Sequence, residues 1–165
     1  MTQNLDPTLA KWLARSHETI AQSAERQSLA PLADAVKSRL ITERPFCLWM
    51  IGGLGAGKTT FAGAILRALG LDPDFPVTSP TFTYLNEYQI NGLWYAHIDL
   101  YRATDGFSLE EQGFVDSRDF AGYLIEWPAA INETTDVLPP THLLQIEMGK
   151  TIEQRTFRLS SVRSK

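Results

Sequence analysis

The longest unbroken apolar run in the chain covers residues 46–51, between Pro45 and a stretch rich in glycine. A short run of this kind is typical of a strand that is buried on both faces of a parallel sheet. Residues 58–69, after the glycines, have the apolar spacing of a helix and end at Gly70, a residue type that commonly closes helices. The pattern therefore predicts a strand, a loop and a helix in succession.

The N-terminal part of the chain has a helical pattern with one interruption. Residues 6–40 are rich in Ala, Leu, Glu, Gln and Arg, and Pro31 interrupts them. We expect two or three helices there, with a break near Ser28, packed on the sheet. In an alternative interpretation, residues 12–13 belong to a short edge strand and a helix begins near Ser16.

The second half of the chain has the shorter period of strands. Asn91-Gly92 separates two such segments, residues 82–90 and 93–100, and is a strong signal for a hairpin. Residues 108–111, Ser-Leu-Glu-Glu, have the form of a capping box and predict a short helix. Further strands are predicted at residues 122–126, which Pro128 stops, at 143–148 and at 156–159.

The glycine-rich stretch carries a complete phosphate-binding motif. Gly52 and the run Gly57-Lys58-Thr59 stand at the spacing G-x-x-x-x-G-K-[ST]. The glycines let several backbone N–H groups approach a phosphate, and the N-terminus of the helix adds its positive dipole end. Lys58 would reach the β- and γ-phosphates from a solvent-facing position, and the Thr59 hydroxyl would ligate Mg²⁺. The predicted nucleotide contacts in this loop are Gly52, Gly53, Leu54, Gly55, Ala56, Gly57, Lys58, Thr59 and Thr60.

The elements around the motif fit one nucleotide-binding domain. We expect an α/β fold over residues 1–165, a single P-loop NTPase-like domain with a mixed parallel and antiparallel sheet flanked by helices. Residues 1–40 would be its helical N-terminal part, residues 41–160 its core and residues 161–165 a tail. The chain lacks the Asn-Lys-x-Asp motif that reads guanine, so the expected cofactors are ATP and Mg²⁺.

Two acidic residues close predicted strands after the P-loop. Asp99 follows the segment 93–98, and Glu126 follows the apolar residues 123–125. A P-loop that hydrolyses its nucleotide needs an acid near Mg²⁺ and a group that positions water, and strand ends at one sheet edge supply both. We predict Lys58, Asp99 and Glu126 as catalytic residues and Thr59, Asp99 and Glu126 as metal ligands, with Asp99 acting directly or through water.

Residues 78–81 carry three hydroxyl groups around Pro80. In one interpretation, a hydroxyl of Thr78, Ser79 or Thr81 senses the γ-phosphate, as switch loops do. In the other, the segment is a Ser-Pro turn that leads into the hairpin. The residues leave both interpretations open, and we include Thr81 among the predicted nucleotide contacts.

Composition limits the compartment and the partners. Of the 165 residues, 44% are hydrophobic and 21% charged, as in one soluble domain. The apolar runs are far shorter than a membrane span, and one cysteine allows no disulfide framework, so we expect a cytoplasmic protein without membrane contact. The net charge of −4 argues against direct binding of nucleic acid. We interpret the basic residues near the C-terminus, Arg155, Arg158, Arg163 and Lys165, as a solvated tail.

Four segments of the chain form a more specific set than the P-loop alone. They are residues 54–60 of the loop, Thr-Ser-Pro-Thr-Phe at 78–82, His-Ile-Asp-Leu-Tyr-Arg at 97–102 and Ile-Glu-Trp-Pro at 125–128. In content and order they resemble the bacterial TsaE family, the small ATPases of tRNA threonylcarbamoyladenosine biosynthesis. The resemblance extends from about residue 16 to about residue 159, with Gly63 at a position where many members carry arginine.

The resemblance implies a Mg²⁺-dependent ATPase that is weak alone and works in complex with TsaD-like and TsaB-like proteins. By motif, Lys58 and Thr59 would hold phosphate and metal, Asp99 would serve Mg²⁺, and Glu126 would support hydrolysis. Hydrolysis would reset the partner enzyme between turnovers, without transfer of the threonylcarbamoyl group by this chain. Transfer RNA would be contacted only through the partners.

The residues alone leave two other functions open. A small-molecule kinase shares the P-loop and a strand-end acid, although only Arg67, Arg102 and Arg118 lie between the P-loop lysine and Trp127, too few for a lid over an acceptor. A nucleotide-gated binding module would use ATP to order residues 78–81 for a partner, without useful catalysis.

Overall fold

Seven strands form one sheet in this computed structural model, which describes residues 5–104 and 106–163. The strands are β1 (Ser16–Glu25), β2 (Phe46–Ile51), β3 (Leu85–Ile90), β4 (Leu93–Asp99), β5 (Phe120–Glu126), β6 (His142–Met148) and β7 (Gln154–Val162). The helices are α1 (Pro7–Ala14), α2 (Ala30–Leu40), α3 (Lys58–Leu69) and α4 (Glu133–Val137). Across the sheet the strand order is β1-β7-β6-β2-β5-β4-β3.

The sheet is parallel at its centre and antiparallel at both sides. Strands β6, β2, β5 and β4 run parallel, whereas β3 joins β4, and β7 and β1 join β6, in antiparallel pairs. The predicted α/β fold with a mixed sheet and flanking helices is therefore confirmed. The carboxyl ends of the four parallel strands meet at one edge, where ligands bind in folds of this class.

Both faces of the central strand β2 are buried. Phe46, Leu48 and Met50 belong to the core cluster that includes α2 and α3, and Cys47 and Trp49 belong to the cluster on the opposite face, with α1. Successive side chains of a strand point to opposite faces, so an unbroken apolar run is what a central strand requires. The interpretation of residues 46–51 as such a strand is confirmed.

Several other predicted elements are also present. Helix α3 ends at Gly70, which has the expected left-handed conformation with φ 118°. The hairpin turns at Asn91-Gly92, and β5, β6 and β7 cover the remaining predicted strands. Strand β3 begins at Leu85 rather than at residue 82, because Tyr84 has φ 64° and breaks the extended backbone before it. None of the helices in the described ranges is long and apolar enough to cross a membrane.

The prediction of helix through residues 6–40 is wrong for residues 16–25, which form β1 and pair antiparallel with β7. Two residues of β1, Ile20 and Ala24, pack against the core. They are four positions apart, a spacing that places side chains on one face of a helix and also on one face of a strand. Pairing with β7 overrides the helix-forming composition. The alternative strand at residues 12–13 is also wrong, because these residues lie in α1. The predicted break near Ser28 is confirmed by a 3₁₀ turn at Arg26–Ser28.

Two further expectations need correction. Residues 108–111 make one turn, in which the Glu111 N–H donates to Ser108 Oγ at 3.3 Å, but no helix follows, because Gly113 turns left-handed with φ 72°. The proposed tail at residues 161–165 begins inside β7, which extends to Val162. Residues 164–165 lie outside the described range.

Candidate nucleotide-binding site

The phosphate-binding loop connects the end of β2 to the start of α3. Gly55 and Gly57 have φ of 77° and 104°, in the left-handed region that favours glycine, and Gly57 caps α3. At Gly52 a Cβ would lie 2.7 Å from the Ile146 carbonyl oxygen, so only glycine fits there. The loop therefore brings a curved backbone and a helix N-terminus to the carboxyl edge of the sheet, an arrangement that suits a phosphate.

Lys58 lies within the loop instead of facing solvent as predicted. Its side chain is buried, and Nζ donates to the carbonyls of Gly52 and Gly53 at 2.7 and 2.9 Å. The Trp127 ring covers the same ammonium group, with 4.1 Å from Nζ to the ring centroid. Burial lowers the pKa of Lys58, and the charges of Glu126 and Asp99 oppose this effect.

Glu126 ends β5 and accepts two hydrogen bonds at one oxygen. The Thr59 hydroxyl donates to Oε1 at 2.8 Å, and Nε2 of His97 lies 2.8 Å from the same atom. Because an ionised carboxylate only accepts, the buried imidazole donates through Nε2–H. These contacts fix the carboxylate beside the first turn of α3, so the predicted pair of Thr59 and Glu126 is brought together.

Asp99 ends β4 and stands opposite Glu126 in the register of the two parallel strands. Its Oδ2 accepts from the hydroxyls of Ser79 and Thr81 at 2.6 and 2.9 Å, and its Oδ1 accepts from the backbone N–H of Tyr101 at 2.9 Å. Two of the three hydroxyls of residues 78–81 therefore meet at this carboxylate, which joins the segment to the edge of the sheet.

A pocket of about 430 Å³ lies over these groups. Eight of the ten predicted nucleotide contacts line it, together with Asp99 and Glu126: they are Leu54, Gly55, Ala56, Gly57, Lys58, Thr59, Thr60 and Thr81. Gly52 and Gly53 are not among the lining residues, and they contribute the carbonyls that hold Lys58. The sequence motif therefore identifies most of one wall of the pocket.

The polar groups of the pocket fit a magnesium nucleotide. Hydroxyl and carboxylate oxygens of Thr59, Ser79, Thr81, Asp99 and Glu126 are close together, and hard oxygen donors are the ligands that Mg²⁺ prefers. No group of three or more His, Cys, Asp or Glu side chains that could hold a metal ion occurs within the described ranges. The pocket, with its two carboxylates Asp99 and Glu126, instead matches the way in which proteins bind Mg²⁺ through one or two carboxylates together with phosphate oxygens.

Sequence reasoning missed several residues of the site, among them His97, Trp127 as a cover for Lys58, and Arg155. His97 could have been found, because it precedes Asp99 by two positions on β4 and so lies on the same face of the sheet. Arg155 had no such signal. It reaches the loop from β7, and its Nε donates to the Ala56 carbonyl at 2.9 Å across 99 positions of sequence.

Comparison with known proteins gives a consistent result. The family described as "Threonylcarbamoyl adenosine biosynthesis protein TsaE" matches residues 15–157. Proteins named tRNA threonylcarbamoyladenosine biosynthesis protein TsaE are similar: that of Haemophilus influenzae is 40% identical over 54% of this chain and 56% of its own length. That of Aquifex aeolicus is 42% identical over 53% of this chain and 63% of its own length. The chain thus spans little more than half the length of these relatives.

A solved structure supports the match at the level of the fold. The crystal structure of Bacillus subtilis YdiB superposes with a TM-score of 0.59 at 25% identity, and the match covers 90% of this chain and 88% of that one. The family match includes β1, the P-loop, both strand-end acids and the start of β7. The chain therefore belongs to the TsaE family of threonylcarbamoyl adenosine biosynthesis proteins.

Proposed function

We propose that this chain is the ATP-binding and ATP-hydrolysing component of the tRNA threonylcarbamoyladenosine machinery and that it acts on a TsaB–TsaD complex. One observation carries the proposal: the P-loop threonine is hydrogen-bonded to a carboxylate, and a second carboxylate with two hydroxyls stands at the end of the adjacent strand. Family membership adds the pathway, since the matched relatives are named for tRNA threonylcarbamoyladenosine biosynthesis.

The chain's own residues divide into phosphate-binding and hydrolytic groups. The loop N–H groups and Lys58 would bind the phosphates, and Thr59 with Asp99 would hold Mg²⁺. When bound, Mg²⁺ neutralises charge on the β- and γ-phosphates. Glu126, held by His97 and Thr59, orients an attacking water or the metal shell at the end of β5. Ser79 and Thr81, bonded to Asp99, connect the nucleotide to a segment that partners can contact.

The positions of the arginines argue against a kinase. Arg67 donates to the carbonyls of Pro73 and Phe75, and Arg118 pairs with Glu87 and stacks on Trp94. Neither lines the pocket, and Arg102 does not line it either. The arginines that do line the pocket are Arg26 and Arg155, and Arg155 is bonded to the carbonyls of Gly55 and Ala56. Among the described residues this leaves Arg26 alone to contact an acceptor phosphate, which does not make an arginine-rich lid.

The proposal extends to partners and compartment. A net charge of −4 does not favour direct tRNA binding, so we assign tRNA contact to TsaD-like and TsaB-like partners. We place the assembly in the cytoplasm, because a tRNA-modifying complex works where tRNA is. Hydrolysis by this chain then changes the state of the complex between turnovers.

Steady-state ATP turnover with and without purified TsaB and TsaD tests the function. We expect slow phosphate release by the chain alone, a rise of about tenfold or more with the partners, and a fall of about 10²–10³-fold in Glu126→Gln, as when one electrostatic group is lost from an active site. Glu147→Gln, on the exposed end of β6, is the matched control and should leave turnover unchanged.

Three results would contradict the proposal. ATP turnover that is the same with and without partners, together with no co-purification, would exclude action on the complex. Labelled phosphate on a metabolite instead of in water would favour the kinase. Normal tRNA modification in cells that carry only Glu126→Ala would favour a nucleotide-gated module without catalysis.

A further inference from the structure

Arg155 is a buried arginine of β7 whose guanidinium group is held by backbone carbonyls. Its Nε donates to Ala56 O at 2.9 Å, and one Nη donates to Gly55 O at 3.4 Å. The other Nη donates to the carbonyls of Gln154, at 2.9 Å, and Ile152. The residue is only 8% exposed, so it is part of the interior of the site and not of a solvated tail as the sequence predicted.

Among the residues that the structure describes, no carboxylate pairs with the positive charge of Arg155. Within the described ranges no Asp or Glu oxygen lies within 4.0 Å of its guanidinium nitrogens. A buried cation that is satisfied only by carbonyl dipoles is costly for stability alone. Arg155 lines the same pocket as Lys58 and Thr59, and its guanidinium nitrogens donate to the carbonyls of Gly55 and Ala56, so its charge acts on the backbone of the phosphate loop.

The bond to Ala56 O also determines the direction of a phosphate-loop amide. A trans peptide is planar, so its C=O and N–H point in opposite directions. When Arg155 holds the Ala56 carbonyl on its own side, the N–H of Gly57 in the same peptide points away from Arg155. Gly57 caps α3, so this N–H belongs to the set that binds a phosphate at a helix N-terminus.

We propose that Arg155 is a positioning residue for the bound nucleoside triphosphate: it holds the Ala56–Gly57 peptide in the orientation that binds phosphate. The inference rests on the proposed nucleotide function and adds a residue from the far end of the chain to that site. The same guanidinium group bonds the carbonyls of Ile152 and Gln154, so the loop between β6 and β7 and the phosphate loop are braced by one side chain.

Four versions of the chain test the proposal: wild type, Arg155→Met, Arg155→Lys and Arg158→Met. Arg158 lies on the same strand but is half exposed and makes only long contacts, 3.9 Å to Glu18 and 3.7 Å to Glu147, so it is a matched control. The affinity for a non-hydrolysable ATP analogue with Mg²⁺ is measured by calorimetry. A ¹⁵N–¹H spectrum follows the amide of Gly57 during the titration, and the amide of Gly92 reports on the intact hairpin.

We expect Arg155→Met to weaken binding of the analogue about tenfold or more, as for the loss of a charge-assisted hydrogen bond. The shift of the Gly57 amide on addition of the analogue should shrink, while Gly92 stays at its wild-type position. Arg155→Lys should resemble Arg155→Met, because one ammonium group cannot span the carbonyls that a planar guanidinium bridges. Arg158→Met should bind as wild type does.

Each other outcome decides against the proposal. Wild-type affinity in a folded Arg155→Met or Arg155→Lys would overturn it. Weaker binding with an unchanged shift of the Gly57 amide would also overturn it, because the loss would then come from the missing positive charge and not from the orientation of the peptide. If Arg155→Met does not fold, Arg155→Lys decides by the same two measurements. Failure of the wild-type protein to bind the analogue would overturn the proposed function, and this inference with it.

Discussion

At the scale of single residues, each charged group of the site is held by hydrogen bonds to neighbouring groups. Backbone carbonyls accept from Lys58, hydroxyls and one N–H donate to Asp99, and a hydroxyl and an imidazole donate to Glu126. Dipoles that are oriented before the reaction stabilise developing charge without reorganisation during it. The site therefore depends on the residues that hold these charged groups as much as on the phosphate-binding motif itself.

Lys58→Ala tests the phosphate role at this scale. We expect the affinity for Mg-ATP to fall about 10- to 100-fold, because charge-assisted hydrogen bonds to the phosphates are lost. The free energy of unfolding should also fall, by about 1–2 kcal/mol, because the side chain is buried and bonded to Gly52 and Gly53. Calorimetry measures the first quantity and urea unfolding the second. Lys37→Ala, on α2, is the control, and wild-type ATP affinity in Lys58→Ala would disprove the role.

At the scale of elements, the pair of β2 and β5 places the P-loop next to the carboxylate of Glu126. Phe46 stands opposite Gly122 in the register of this pair, and Phe46 is fully buried. A Cβ added at Gly122 would overlap the Phe46 ring. The glycine therefore lets a large aromatic residue fill the core between two parallel strands.

Gly122→Ala should destabilise the protein by about 1–3 kcal/mol, because the Phe46 ring must move in a close-packed core. Phe46→Leu combined with Gly122→Ala should lose less than the sum of the two single variants, since the smaller side chain removes the overlap. Urea unfolding curves give these free energies. Gly53→Ala is the control, because no atom lies within 4 Å of a Cβ there. Wild-type stability in Gly122→Ala would show that the ring is not confined.

Elements with local signals could be predicted from the sequence, and those with distant partners could not. Helix α3 has its own cap at Gly70, and the β3–β4 hairpin has Asn91-Gly92 at its turn. Strand β1 has no comparable local signal, because its paired residues in β7 lie at least 129 positions away. The composition of residues 16–25 favours a helix, but antiparallel pairing with the edge of β7 makes them a strand.

At the scale of the whole molecule, parts of the chain far apart in sequence meet at one edge of the sheet. The P-loop follows β2, Asp99 and Glu126 end β4 and β5, and Arg155 comes from β7. Strand β6 supports this arrangement from the other side of β2, and it begins with the buried His142. His142 touches none of the nucleotide groups, so it reports on the stability of the whole fold.

Burial lowers the pKa of His142 from 6.5 to about 4. As the pH falls from about 6.5 to about 4, the unfolded chain takes up a proton that the folded chain does not, so folded stability decreases over this window. Between pH 7 and pH 5 this contribution is about 2 kcal/mol. Urea unfolding at both pH values should show that His142→Gln loses about that much less stability than wild type, whereas His17→Gln, at an exposed position, follows wild type. Equal losses in wild type and His142→Gln would contradict the prediction.

The sequence by itself determined the α/β fold, the strand–loop–helix unit of the P-loop, and the acids at two strand ends. All of these depend on short-range spacing: apolar period, glycine position and motif length. Only the tertiary structure decided that β1 is a strand, that Lys58 is buried under Trp127, and that Arg155 holds the phosphate loop. These features arise from contacts between distant parts of the chain, whose free energy depends on which surfaces the folded sheet brings together.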